Sequence, residues 1–193
     1  FFFHADDGIR DSVASRGLGD VYKRQLSYRG ILYGGFMATA NGVKLIEYNA
    51  RFGDPEAMNV LSILESDFVD ICYAIVNGNL DDVPVKFSTK ATVCKYAVPN
   101  GYPDNPVKGQ EIDVSKISNH NGLYYASVNI QKEKLVESGS RTIAYVGIAD
   151  SIFDAETIAE NEIISIEGPL FHRKDIGKKE LIQKRIDHMK SLR

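Results

Sequence analysis

A chain of 193 residues with 44% hydrophobic and 25% charged residues can bury a core as one large or two small globular domains. Its net charge of −3, without a basic block, argues against sequence-independent binding to nucleic acid, and no apolar run approaches the ~20 residues that span a membrane. Cys72 and Cys94 sit in apolar runs and match no metal spacing, as expected of buried cytosolic thiols.

Residues 1–25, FFFHADDGIRDSVASRGLGDVYKRQ, show neither helical nor strand period. Their four basic and four acidic residues cancel, and they lack the basic start and long apolar centre of a signal peptide. The segment looks like translated adapter or vector read-through ahead of a truncated gene, with a genuine disordered leader as the alternative. It is set aside from the fold, and no site is assigned there, His4 included.

From Tyr28 the pattern sharpens. RGILYGGFMATA and VKLIEYNA are strand-like runs joined by Asn41-Gly42, the dipeptide favoured in a type I′ hairpin turn. Gly34-Gly35 marks either a bulge or a close backbone approach by a ligand. Val43, Leu45, Glu47 and Asn49 alternate with Lys44, Ile46 and Tyr48, so Glu47 and Asn49 are expected on one face. Arg51 follows at the same spacing, and the chain turns at Gly53-Asp54-Pro55-Glu56. A carboxylate and an amide oxygen followed by a guanidinium suit a magnesium–phosphate site, because Mg²⁺ takes hard oxygen ligands and Arg pairs phosphate in a two-pronged way.

Pro55 suits the first turn of a helix, with Asp54 as its N-cap and Ala57, Val60, Leu61 and Leu64 as an apolar stripe. Ser66 or Asp67 caps a second helix with Phe68, Ile71, Cys72, Ile75 and Val76 inward, ending at Asn77-Gly78. Residues 79–90 read as a connection. In the second half, ATVCKYAVP, Leu123–Ile130 and Thr142–Ala149 read as strands, and Gly109–Val114 can begin a short one. The stretch 99–103, PNGYP, is a loop dense in turn formers. Asp150 or Ser151 caps a helix carrying Ile152, Ala155, Ile158, Ala159, Glu162, Ile163 and Ile166, with Glu162 on its solvated rim. A final amphipathic helix is expected over roughly Lys178–Leu192, through Leu181, Ile182, Ile186 and Met189.

The run E-Y-N-A-R-F-G-D-P-E at 47–56, after the Y-x-G-x-L-Y-G-G of residues 28–35, resembles the signature of the glycinamide ribonucleotide synthetase family of ATP-grasp ligases. Asn100-Gly101-Tyr102-Pro103 with Lys108-Gly109 is similar to that family's G-Y-P…K-G stretch. Gly139-Ser140-Arg141-Thr142 resembles its G-G-R segment, and residues 171–177, FHRKDIG, resemble its closing R-x-D-I-G. The resemblance covers residue 26 to about 190. It departs at Ser140, at Met58-Asn59, and at Tyr125-Ala126-Ser127, where a histidine-containing segment is common. No role is given to His120, His172 or His188.

The resemblance implies an α+β chain: the carboxy-terminal part of an ATP-grasp domain, an antiparallel hairpin plus helices, over 26–80, and a small β-rich closing domain with helices over 81–193. It implies a carboxy-terminal fragment whose missing amino-terminal part would be its partner. It also implies ATP and Mg²⁺ (or Mn²⁺) as cofactors, glycine and 5-phosphoribosylamine as further small-molecule substrates, no nucleic acid and no membrane. Glu47 and Asn49 would then ligate the metal, with Glu47 bridging two ions, and Arg51 would stabilise the transferring phosphoryl group. Asp54 and Glu56 would lie where the amine and carboxylate substrates meet, although both also suit helix capping. Two alternatives stay open: another ATP-grasp carboxylate–amine ligase, and a non-catalytic ligand- or protein-binding module.

Overall fold

The computed structural model describes residues 28–192, so the leader 1–25 lies outside the described residues. Contacts divide the chain into two units. The first comprises residues up to Ser88, without Leu61–Ile63, together with the last residues from Met189. The second comprises Thr89–His188 with Leu61–Ile63.

The first unit opens on the expected hairpin, β1 (Tyr33–Thr39) antiparallel to β2 (Gly42–Asn49). Its turn is shifted by one residue from the expected Asn41-Gly42. Thr39 pairs with Gly42, Ala40 and Asn41 fill the loop, and Gly42 takes φ 91°. A type I′ turn needs positive φ at both central residues, and here only the glycine that follows them has it. The Gly34-Gly35 signal does mark a bulge, between Gly35 and Phe36. Gly35 pairs with Glu47 and Phe36 with Leu45, which leaves Ile46 as the extra residue.

Two helices follow. α1 (Glu56–Leu61) is only six residues long and stops before Leu64, which bridges Phe87 instead. α2 (Phe68–Asn77) begins where Asp67 accepts from the amides of Val69, at 2.7 Å, and Asp70, at 3.3 Å. Such a cap stabilises a helix by about 1 kcal/mol. It ends at Gly78, whose φ of 75° lets its amide reach the carbonyls of Ala74 and Ile75. The Arg29 guanidinium also donates to the Val76 carbonyl at that end. Ile71, Ala74 and Ile75 are buried, but Val76 is 64% exposed and Cys72 only half-buried, against the expectation for both.

The second unit is a four-stranded antiparallel sheet in the order β4 (Leu123–Tyr125), β7 (Ile143–Ala149), β3 (Ala91–Pro99), β8 (Leu170–His172). The run 123–130 is two strands because the chain changes partner. The amides of Ala126 and Ser127 still reach the carbonyls of Thr142 and Arg141, and then β5 (Val128–Gln131) pairs with β6 (Lys134–Glu137). The turn of that hairpin puts Lys132 and Glu133 at φ 49° and 63°, with no Gly or Asn to announce it. The Gly109–Val114 run makes only isolated bridges, at Glu111 and Asp113.

α3 (Ile152–Ile163) starts at Ser151, whose hydroxyl accepts from the Asp154 amide at 3.1 Å. It covers the sheet face formed by Val93, Lys95, Ala97, Ile143 and Tyr145. Gly147 allows the close approach, since a Cβ there would run into the Ala155 carbonyl and sit 2.8 Å from the Ala159 nitrogen. The buried stripe is Ala155, Glu156, Ala159 and Ile163, whereas Ile152 and Ile158 face outward. The last helix, α4 (Lys179–Ser191), has no buried residue. Among the described residues no helix is long and apolar enough to cross a membrane.

Candidate functional site

Directly opposed residues of an antiparallel pair point to the same side. Asn49 faces Tyr33 and Glu47 faces Gly35, so Glu47 and Asn49 share one face of the hairpin, as their spacing predicts. Leu45 does not share it. The extra residue at Ile46 changes the phase of β2, sending Leu45 and Val43 to the side of Phe36, Ala38 and Tyr48. There the rings of Phe36 and Tyr48 meet edge to face, with centroids 5.9 Å apart. The hairpin therefore has an aromatic side and a side carrying Tyr33, Glu47 and Asn49.

Glu47 is exposed and Asn49 half-buried. Among the described residues neither side chain makes a hydrogen bond. These are two oxygen donors of the kind Mg²⁺ accepts, leaving its other positions to phosphate and water. The donor chemistry fits that ion. No cluster of three or more His, Cys, Asp or Glu suited to a metal occurs among the described residues.

Beyond β2 the chain turns sharply. Arg51 is exposed, and its guanidinium donates only 2.6 Å to the neighbouring Phe52 carbonyl. Asp54 is exposed and Glu56 half-buried at the start of α1. The Ala57 amide donates to the Gly53 carbonyl at 2.9 Å. Gly53 is buried, and a Cβ there would collide with one Glu56 carboxylate oxygen. The other accepts from the Tyr33 hydroxyl at 3.0 Å. Tyr33 was not singled out by the sequence; its signal was its place in the register, opposite Asn49. Burial first, then the Glu56 hydrogen bond and the charges of Glu56 and Glu47, hold its phenol above the usual tyrosine pKa, so it remains a donor.

A second cluster, in the other unit, also escaped the sequence. Lys95 is fully buried, and its ammonium lies 2.7 Å from Glu156 and still closer to Glu160. Lys178 reaches Glu156 at 2.9 Å, and His172 Nε2 lies 3.2 Å from both Glu160 oxygens. Burial pushes both carboxyls up, but their hydrogen bonds and the opposite charges win. Glu156, held by Lys178 and Lys95, and Glu160, held by Lys95 and His172, stay below the usual carboxylate range. Two glutamates one helical turn apart on α3 thus clamp a strand lysine. His172 belongs to this packing. Glu162, expected on the rim, accepts from the Ser118 amide at 2.9 Å.

The motif glycines downstream serve loops. Gly101, at φ 85°, closes the turn in which the Asn105 amide reaches its carbonyl at 2.8 Å. Gly139 donates its amide at 2.9 Å to Glu137, a buried carboxylate that also accepts from the Gln110 amide. Arg141 lies over the Tyr96 ring, 5.7 Å from its centroid.

Two family models match this chain: phosphoribosylglycinamide synthetase, ATP-grasp (A) domain, over residues 4–57, and phosphoribosylglycinamide synthetase, C domain, over residues 92–179. The chain is 58% identical over 168 residues to a phosphoribosylamine–glycine ligase of Methanosarcina barkeri, aligning 87% of itself with 39% of that protein. It is 58% identical over 169 residues to the Methanocaldococcus jannaschii protein of the same name, covering 86% of itself and 38% of the relative. The crystal structure of phosphoribosylamine–glycine ligase from Thermotoga maritima superposes with a TM-score of 0.68 at 29% identity, over 82% of this chain and 40% of that one. The chain thus spans about two fifths of the length of these relatives.

Proposed function

Because the chain belongs to the phosphoribosylglycinamide synthetase family, we propose that it is the carboxy-terminal part of an ATP-dependent ligase joining glycine to 5-phosphoribosylamine in purine biosynthesis, working in the cytoplasm. The chain carries the end of the ATP-grasp domain and the C domain of that family. The missing amino-terminal part of the enzyme would be its partner in catalysis.

The observation that carries the reading is the pair of side chains on β2, Glu47 and Asn49, which share one face beside Tyr33 and make no side-chain hydrogen bond among the described residues. Mg-ATP, when bound, supplies an electrophilic γ-phosphoryl group. Glu47 and Asn49 would hold its metal. Arg51 would turn from the Phe52 carbonyl to the phosphoryl oxygens, where a planar guanidinium matches the developing charge.

In the first step a glycine carboxylate oxygen bonds to the γ-phosphorus as the bond to ADP breaks, giving glycyl phosphate. In the second, the amine of phosphoribosylamine bonds to the glycyl carbon, inorganic phosphate leaves, and the nitrogen loses a proton. Neither step needs a protein nucleophile, which agrees with a site of oxygens and a guanidinium acting by position and charge. Asp54 and Glu56 would lie where the amine and carboxylate substrates meet.

Glu47→Gln in the complete polypeptide keeps the side chain's size and removes its charge. It is expected to lower kcat by about a hundredfold or more while leaving thermal stability unchanged, because Glu47 is exposed and makes no side-chain hydrogen bond among the described residues. Near-normal turnover in steady-state assays with Mg-ATP would remove Glu47 from the metal site.

A further inference from the structure

Glu56 lies between the Tyr33 hydroxyl, which holds it, and the bare α-carbon of Gly53. Its Oε1 accepts from the Tyr33 hydroxyl at 3.0 Å, and its Oε2 occupies the space that a side chain on Gly53 would take. Tyr33 sits on β1 directly opposite Asn49 and two residues from Gly35, the partner of Glu47. One phenol therefore ties the first residue of α1 to the strand face that bears the candidate metal ligands.

We infer that Tyr33 is a positioning residue of this site, orienting the Glu56 carboxylate to receive the amino end of a substrate. The inference rests on the ligase reading above. A helix-capping role for Glu56 alone would not require the bond to β1. Nor would it require the empty α-carbon of Gly53, whose replacement by any side chain would press on the Glu56 carboxylate and approach the Tyr33 ring at 3.3 Å. With the neighbouring Glu47, the oriented carboxylate makes this face anionic, which suits an ammonium or amine and repels a free carboxylate. Of the substrates proposed, glycine and phosphoribosylamine carry such a nitrogen and ATP does not present one as a cation.

The test is a cycle of Tyr33→Phe, Glu56→Gln and the double variant in the complete polypeptide, with the KM of each of the three substrates measured separately. Tyr33→Phe is expected to raise the KM of an amine-bearing substrate about tenfold, the scale of a lost hydrogen bond to a charged group, with the KM of Mg-ATP within about twofold. In the double variant the two losses should not multiply, because they remove one device. Gly53→Ala, which leaves the phenol intact, should reproduce the same selective rise. Equal changes in all three KM values, or losses that multiply, would overturn the positioning role. Tyr33→Phe kinetics equal to wild type would sink that role alone, whereas a complete wild-type polypeptide making no ADP from glycine and phosphoribosylamine would sink the ligase reading with it.

Discussion

At the scale of single residues, the site depends on which side chains the protein leaves uncommitted. Arg51 is exposed, and its guanidinium donates to the adjacent Phe52 carbonyl, so little of the fold depends on it. Arg51→Ala is therefore expected to leave the unfolding free energy within about 0.5 kcal/mol of wild type while reducing kcat about a hundredfold in the complete enzyme. Parallel denaturation and turnover measurements check this, and a stability loss matching the activity loss would make Arg51 structural. Glu47 and Asn49 were legible in the sequence because an i, i+2 pair on a strand survives most errors of register. The fate of Leu45 was not. The glycines that announced the bulge lie on β1, but the extra residue, Ile46, lies on β2, where nothing in its type marks it. Tyr33 was invisible for a similar reason, since only the pairing of two strands brings it opposite Asn49.

At the scale of elements, α3 and β3 are joined by charge as well as by apolar packing. A lysine in the run ATVCKYAVP and glutamates on a helix look solvated when each is read alone. Their pairing depends on Gly147 letting the helix settle onto the sheet, and no local pattern shows that. Removing Lys95 leaves Glu156 and Glu160 underpaired beneath the helix, so Lys95→Met is expected to cost about 3–5 kcal/mol in denaturant unfolding. The pH dependence follows from the same cluster. Both carboxyls titrate below their ordinary 4.5 in the folded protein, so they bind protons more readily once unfolded. Their contribution is complete above that unfolded value and is lost as pH falls through the lower folded one. Stability should hold down to about pH 5 and decline below it, with a shallower decline in Lys95→Met. A variant within about 1 kcal/mol of wild type, with an unchanged acid limb, would contradict this account of the clamp.

At the scale of the whole molecule, the hairpin falls in the stretch matched by the ATP-grasp domain model of the family, and the sheet of the second unit falls in the stretch matched by its C-domain model. The second unit can be read from its own sequence because its core, from Val93 to Ile166, closes on itself. The first carries the proposed metal ligands Glu47 and Asn49, and the chain spans 39% of the Methanosarcina barkeri protein. What those side chains bind is therefore best asked of the complete polypeptide. Crystals grown with Mn²⁺ and a non-hydrolysable ATP analogue would locate the ion by its anomalous signal. The account predicts a peak about 2.1 Å from the Glu47 carboxylate and the Asn49 amide oxygen, bridging to the nucleotide phosphates. A fully occupied ion liganded elsewhere, with both side chains left facing water, would contradict it.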